Sequence, residues 1–238
     1  MPALVILPTY NEAQNIAEII QKIISLPEGI SILIIDDNSS DGTKEIARDL
    51  INKHKDRIFL IERPDKLGLW TAYIEGFKFA LAHNYDYVLE MDADLSHDPE
   101  EIPNFLKAVT DADVVVGSRY IDGIRIMNWP LNRLILSYTA SVYARKMAGL
   151  SLTDCTSGYK CFSRRVLEKL PLDQIASGGY AFQIEVNFWC QRLGFRIKEI
   201  PIVFTERKFG SSKMSPEIVH EAFFLGIRLL IKRLVRLS

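Results

Sequence analysis

Cysteine is scarce: Cys155, Cys161 and Cys190 are the only three in 238 residues. Their number is odd and their spacing matches no zinc-binding pattern, which excludes a disulfide framework and fits a reducing compartment. Long apolar runs are lacking too. The longest uncharged stretch of the second half, 134–144, has 11 residues, whereas a membrane crossing takes about 20. The first apolar run, 3–7, is too short for the core of a secretory signal. Charge of one sign is also missing. With 29 Lys and Arg against 30 Asp and Glu the net charge is −1, so the whole molecule is no polyelectrolyte binder and no nucleic-acid partner is expected. No G-x-G-x-x-G follows the first apolar run and no G-x-x-x-x-G-K-[ST] occurs anywhere. The dinucleotide and P-loop phosphate cradles are therefore unsupported.

What is present is alternation. Residues 3–7 read as a buried strand, and Ile16, Ile19, Ile20, Ile23 and Ile24 then recur at helical spacing. Strands at 30–35, 58–61, 86–91 and 114–117 follow, with helices to about 53, over 67–83 and over 99–110. Such alternation with short loops predicts an α/β fold: a mostly parallel central sheet, right-handed crossovers and flanking helices.

The densest signal lies at 89–99. An apolar run ends in Asp92-Ala93-Asp94, and Asp98-Pro99-Glu100-Glu101 then reads as a helix start, with Asp as N-cap, Pro at the first position and acids in the first turn. Asp92 and Asp94 are thus expected at the carboxyl end of a parallel strand, where open α/β sheets bind ligands. Two adjacent carboxylates there repel unless a cation lies between them, and Mg²⁺ or Mn²⁺ suits oxygen ligands shared with phosphates. A D-x-D alone also fits two solvated loop acids. Asp111-Ala112-Asp113 is the internal comparison: it precedes its apolar run and reads as structural. Other polar clusters recur at strand ends, at Pro8-Thr9-Tyr10-Asn11-Glu12, at Asp36-Asp37 and at Arg119. Carboxylates, a metal and an arginine on one sheet edge suit a nucleoside diphosphate.

Six segments in order, PTYNE (8–12), DDNSSDGT (36–43), KLGLWTAYIEGF (66–77), MDADLSHDPEEIP (91–103), GSRY (117–120) and RKFGSSK (207–213), resemble the family 2 glycosyltransferases of GT-A fold. Within that family they are most similar to the dolichol-phosphate, or polyprenol-phosphate, mannose synthases. The resemblance implies that Pro8, Tyr10, Glu12 and Asp37 hold the nucleoside, and that Asp92, Ala93, Asp94 and Ser96 surround metal and diphosphate, Asp94 being the most direct ligand. Arg207 and Lys213 would belong to a loop that closes over the donor, with Gly210, Ser211 and Ser212 letting it move. Arg119, Arg133 and Ser137 would grip the phosphate of a lipid acceptor. Arg133 and Ser137 are four apart and share a helix face, but from spacing alone a solvated arginine and a packing serine are the favoured reading. Trp70 departs from the family's common L-G-L-G; it either narrows the donor site or packs outside it.

The implied reaction is inverting, metal-dependent transfer of a hexose from a nucleotide sugar to a polyprenyl phosphate. GDP-mannose is the expected donor and UDP-glucose the next candidate. Three rivals stand beside it. A hydroxyl-glycosylating enzyme would need a base, for which Glu185 is the candidate. Asp92-Ala93-Asp94-Leu95-Ser96 also resembles the nucleophile motif of haloacid-dehalogenase phosphatases, although that motif normally ends the first strand of its fold. The third is a nucleotide-sugar-binding scaffold without turnover.

The end of the chain is basic, with seven cationic and three acidic side chains from 205 onward, and so points to an anionic partner. Residues 1–214 are expected to form the catalytic domain and 215–238 an amphipathic helix. In that helix Phe223, Phe224, Ile227, Leu230, Ile231, Leu234 and Val235 would form one face, with Arg228, Lys232, Arg233 and Arg236 opposite. Such a helix suits a membrane interface, the domain's own surface or a separate membrane-anchored subunit. The expected location is cytoplasmic, peripheral on the cytoplasmic face of a membrane.

Overall fold

The computed structural model describes residues 2–26, 29–175, 177–206 and 216–235, without the side chains of Tyr180 and of 216–222. In chain order the elements are β1 (Ala3–Thr9), α1 (Ile16–Ile24), β2 (Ser31–Asp36), α2 (Thr43–Lys53), β3 (Ile58–Glu62), α3 (Leu69–Ala82), β4 (Tyr87–Glu90), α4 (Ile102–Ala108), β5 (Val114–Ser118), β6 (Ile126–Met127), α5 (Leu131–Ala148), β7 (Lys160–Ser163), α6 (Arg164–Leu167), α7 (Gly179–Arg192), β8 (Ile197–Pro201), β9 (Phe204–Thr205) and α8 (Pro216–Leu234). The expected N-cap holds, for Asp98 accepts a hydrogen bond from the Glu100 amide at 3.1 Å, and Pro99 opens a short 3-10 turn ahead of α4.

The main sheet runs β3-β2-β1-β4-β7-β5-β8. β1 pairs in parallel with β2 and β4, and β5 with β8. Strands buried on both faces need apolar residues at every position, which is why 3–7 shows no polar alternation. The period of two survives in the packing. Leu4 and Ile6 join the core under α3 and α7, while Val5 and Leu7 join the core under α1 and α4.

One strand departs from the simple alternation. β7 is antiparallel and lies between β4 and β5. Its amino end therefore sits beside the carboxyl ends of its neighbours, and the preceding segment, 153–159, is delivered to the rim where ligands bind. Local periodicity carries no trace of this, because a four-residue strand inside a continuous core pairs only through distant partners.

α8 packs on α5 and α7. Leu225 and Leu229 are buried in the same core as Ala144 and Val186. Lys232, expected on an outward polar face, instead reaches the buried Glu185 carboxylate at 3.7 Å and lies 4.9 Å from the Trp189 ring centre. The face turned to the body is thus not the expected stripe: Leu225 and Leu229 are buried, while Phe223, Phe224, Ile227, Ile231, Leu234 and Val235 of that stripe remain exposed.

α3 comes unusually close to β1 at Gly76, where an added Cβ would lie 2.6 Å from Ile6 Cδ1 and 2.9 Å from its Cγ2. Both atoms belong to a buried branched side chain with no room to withdraw. Gly76→Val should destabilise the protein by roughly 1–3 kcal/mol, read as a lower midpoint in urea unfolding with an unchanged slope.

Candidate active site

The strand ends are tied together before any ligand is considered. Asp36, at the end of β2, accepts from Thr9 Oγ1 at 2.8 Å and from the Ser39 amide at 2.8 Å. Across the same gap Asn11 N donates to Ser39 Oγ, Glu12 N to Thr43 Oγ1 and Ser40 N to Asn11 Oδ1, each at 2.9 Å. The two polar loops after β1 and β2 therefore form one unit. Asn11 and Asn38 take the left-handed conformation that such tight stitching needs, at φ 59° and 58°.

Asp37, next in sequence to this pin, faces the cleft. It forms a buried ion pair with Arg63 and accepts from the Gly68 amide at 3.1 Å. Arg63 also donates to Thr71 Oγ1 and to the Gly68 carbonyl, so one guanidinium fixes both Asp37 and the turn into α3. Lys66 lies 4.0 Å over the Tyr10 ring. Pro8, Tyr10, Glu12, Asp37, Lys66, Gly68 and Leu69 line this end of the cleft. Trp70 does not line it. It packs against the α3–α7 core, which settles its place as outside the pocket.

Asp92, Ala93 and Asp94 line the middle of the cleft. The loop is folded on itself: Asp94 Oδ1 accepts from the Ser96 amide at 3.0 Å, Leu95 is left-handed at φ 63°, and the Asp92 amide donates to His97 Nδ1 at 3.2 Å. His97 is fully enclosed, stacked on Tyr159 with centroids 4.8 Å apart. Burial pushes its pKa down to about 4, so near neutral pH Nδ1 is an acceptor and serves the Asp92 amide. Ser96 is buried and lies behind the cleft; its Oγ has no hydrogen-bond partner among the described residues.

The far end is built by β7 and α7. Thr156, Gly158, Gly179 and Gln183 complete the lining. Beneath them Lys160 is wholly buried, directly across from Glu90 in the β4–β7 register. Its ammonium donates to the Gln183 side-chain oxygen and to the Gln183 carbonyl. Burial lifts the Glu90 carboxyl to about 7 against the pull of Lys160.

Arg119, Arg133 and Ser137 gather beside this end. Both guanidiniums lie against Trp129, 5.8 Å and 4.0 Å from its ring centre. Neither was expected to have an acidic partner, and both do. Arg119 is buried and holds Asp154 through Nε at 2.6 Å and Nη2 at 2.8 Å; Nη2 also donates to Thr156 Oγ1, a cleft residue. Arg133 pairs with Glu206. Ser137 Oγ accepts from Tyr120 Oη at 2.9 Å. Arg207 and Lys213 lie outside the described residues, as do Gly210, Ser211 and Ser212.

The model of glycosyl transferase family 2 matches residues 4–171. The chain belongs to that family. Among its relatives, a polyprenol monophosphomannose synthase of Mycolicibacterium smegmatis is 44% identical over 93% of this chain and 84% of its own length. An undecaprenyl-phosphate mannosyltransferase of Micrococcus luteus is 43% identical over 93% and 91%. The fold is GT-A, as in two solved structures that share 20% identity with this chain. One is the glucosyl-3-phosphoglycerate synthase of Mycobacterium tuberculosis with Mn²⁺, UDP-glucose and phosphoglyceric acid, with a TM-score of 0.67 over 98% of this chain and 79% of the other. The other is a mannosyltransferase of Pyrobaculum calidifontis with GDP-mannose and Mn²⁺, with a TM-score of 0.57 over 98% and 73%.

Within this glycosyltransferase several expectations resolve. Asp113 is structural, paired with Arg165 and accepting from the Arg196 amide. Glu185, the candidate base, is not a cleft residue: it is fully buried, accepts from Ser177 Oγ at 2.7 Å and is absent from the cleft lining. Arg63, Asp154, Thr156 and Lys160 were not singled out as site residues. None of the four lies in the six segments that carry the family resemblance, and their partners are distant in the chain, so no local pattern marks them.

Burial alone would raise the Asp154 carboxyl, but Arg119 more than offsets this and holds it below the usual carboxylate range. The pair's contribution to stability is therefore complete above about pH 4 and is lost as pH falls through the lowered value. Asp154→Asn strands a buried guanidinium and should cost roughly 3–5 kcal/mol, measured by urea unfolding at pH 7. Its loss of stability relative to wild type should shrink towards pH 2.

Proposed function

We propose that this enzyme transfers mannose from GDP-mannose to a polyprenyl phosphate with inversion, using a divalent cation held by Asp92 and Asp94. The observation that carries the reading is the order of groups along the cleft. Tyr10, Glu12 and Asp37 line one end, over β1 and β2, the paired carboxylates follow at the end of β4, and a two-arginine cluster outside the lining reaches it where Arg119 donates to Thr156. The names of the two relatives supply the acceptor class and the sugar.

The donor set fits a hard cation. Among the described residues no third Asp, Glu, His or Cys closes a cage around Asp92 and Asp94, as suits Mg²⁺ or Mn²⁺ bound by two carboxylates and completed by substrate oxygens and water. When bound, the cation neutralises charge on the departing diphosphate. Ser96 would contribute only through water from its place behind the loop. Pro8, Tyr10, Glu12 and Asp37 hold the nucleoside, with Arg63 keeping the Asp37 carboxylate aimed.

An oxygen of the acceptor phosphate attacks the anomeric carbon, and the bond from that carbon to the β-phosphate oxygen breaks with its electron pair leaving on the diphosphate. The nucleophile is already an anion, so no general base is required. The enclosure of Glu185 supports this over a hydroxyl acceptor. What the acceptor needs is cations to offset donor–acceptor repulsion, and Arg133 supplies one once Glu206 gives way. Arg119, held by Asp154 and touching Thr156, orients that side of the cleft and adds its field.

A lipid substrate also requires a route to the bilayer. No helix among the described residues is long and apolar enough to cross a membrane. The exposed Phe223, Phe224, Ile227 and Ile231 on α8, together with Leu131 and Ile135 on α5, support peripheral association, each large apolar side chain contributing about 1.5–3 kcal/mol if fully buried. Phe224→Ser with Ile231→Ser should weaken co-sedimentation with anionic vesicles at least about tenfold while leaving GDP binding intact.

Transfer from radiolabelled GDP-mannose to polyprenyl phosphate with Mg²⁺ or Mn²⁺, beside UDP-glucose, tests the reading directly. Asp94→Ala should abolish transfer. Arg133→Ala should raise the acceptor KM far more than it lowers kcat. Glu206→Gln, which releases Arg133, should lower the acceptor KM by roughly threefold, as for a part-exposed ion pair. Full turnover by Asp94→Ala would remove the metal assignment.

A further inference from the structure

We infer that Gln183 is the residue that reads the transferred sugar: its side-chain Nε2 donates a hydrogen bond to a hydroxyl of the hexose, and Lys160 is the positioning residue that holds the amide in that orientation. The inference rests on the nucleotide-sugar reading above and specifies the part of the site that handles the sugar.

The argument begins with direction. The donor's parts are joined in a fixed order of nucleoside, diphosphate and sugar. The nucleoside end of the cleft lies over β2 and β1, at Asp37 and Tyr10, and the carboxylates of the diphosphate region follow β4. Continuing across the sheet, the next strand is β7, and beyond the carboxylates the cleft is lined by Thr156, Gly158, Gly179 and Gln183. The sugar must therefore lie against these four residues. Two are glycines, and Thr156 Oγ1 is engaged by Arg119. Gln183 is the long polar side chain at this end.

Its chemistry is that of a prepared donor. Gln183 is 3% exposed, yet its Nε2 has no hydrogen-bond partner among the described residues. A buried amide N–H without a partner costs about 1–3 kcal/mol, a cost that a ligand oxygen would relieve. The other end of the same amide is fixed, because Lys160 donates to its Oε1. An ammonium has only donors to offer, so it decides which way round the amide stands: oxygen toward Lys160, nitrogen away. A Cβ on Gly158 would stand in ordinary contact with Nε2, at 3.7 Å, which places the nitrogen beside the Gly158 backbone in the cleft wall. Glu90 lies near enough for the Gln183 amide to pull its carboxyl pKa down as a hydrogen-bonding neighbour, yet that contact is too poorly formed to satisfy Nε2 or either Glu90 oxygen.

The test uses GDP, GDP-mannose and GDP-glucose, which share a nucleotide and differ only at the sugar, with Mn²⁺ and polyprenyl phosphate. Gln183→Glu keeps an oxygen for Lys160 and removes the donor; Gln183→Met removes the whole amide at similar volume. Both should bind GDP within about twofold of wild type by calorimetry. Both should show KM for GDP-mannose raised about tenfold, and a mannose-over-glucose ratio of kcat/KM that falls toward one. If discrimination and KM stay at wild-type values while only thermal stability falls, the amide serves Lys160 and Glu90 alone and the inference is wrong. A parallel loss of GDP affinity would overturn it as well. Wild-type protein that transfers no hexose from any nucleotide sugar would instead sink the functional reading, and this inference with it.

Discussion

The constraint that organises this molecule is the crowding of carboxylates at one rim of a sheet. Asp36, Asp37, Glu90, Asp92, Asp94 and Asp154 all come to the carboxyl ends of strands or to the loops that join them. Like charges so close would drive up each other's pKa values or push the loops apart. The chain answers with cations taken into the interior. Arg63 pairs with Asp37, Arg119 with Asp154, and Lys160 stands across the ladder from Glu90. Each is buried, where desolvation is costly and only close, well-formed pairing makes the charge tolerable. These pairs do little for net stability by themselves. They fix where acidic groups point, and the cleft is what results.

The antiparallel β7 is the second half of that solution. A parallel strand between β4 and β5 would present its carboxyl end to the cleft, with the bulk of its approach on the far side. Reversed, it brings the 153–159 segment to the rim, and with it Asp154, Thr156 and Gly158, then sends Lys160 straight down beneath Glu90. Asp154 is thereby in place to meet Arg119 as it leaves β5. One reversed strand of four residues thus supplies an acid for one arginine, a cation for one buried acid and the lining of the cleft's far end.

Much of this was legible in the sequence and some was not. The parallel strands declared themselves through apolar runs, and the site through polar residues at their ends, because a strand's register and its terminal loop are local properties. The split between Asp36 and Asp37 was not legible from composition or spacing, and only the family resemblance singled out Asp37. Adjacent carboxylates look alike in a string of letters, and only the pleat, which turns one to Thr9 and the other to Arg63, separates them. Arg119 reads as a free phosphate-binding cation until Asp154, 35 residues on, closes on it. Pattern also assigned the basic residues of α8 to the solvent, and Lys232 turned inward because a buried Glu185 lies within its reach. The misses share a cause. A charged pair formed across long separations leaves no periodicity, and each partner alone resembles a surface residue.

The pairing of Arg133 with Glu206 differs in kind from that of Arg119 with Asp154. Asp154 is fully buried and accepts two guanidinium hydrogen bonds as well as the Arg119 amide; parting that pair would strand charge in the core. The Arg133 and Glu206 side chains retain 14% and 28% of their exposure, so water can take over for either partner. On the proposed reading, the acceptor phosphate, a dianion with more charge and more oxygens than a carboxylate, would displace Glu206. The buried pair is then architecture and the half-exposed one exchangeable, although the two arginines flank the same indole. Without such an occupant, an arginine standing open beside the acidic rim would be drawn toward Asp92 and Asp94. With it, the cation keeps its place until an anion able to outcompete a carboxylate arrives.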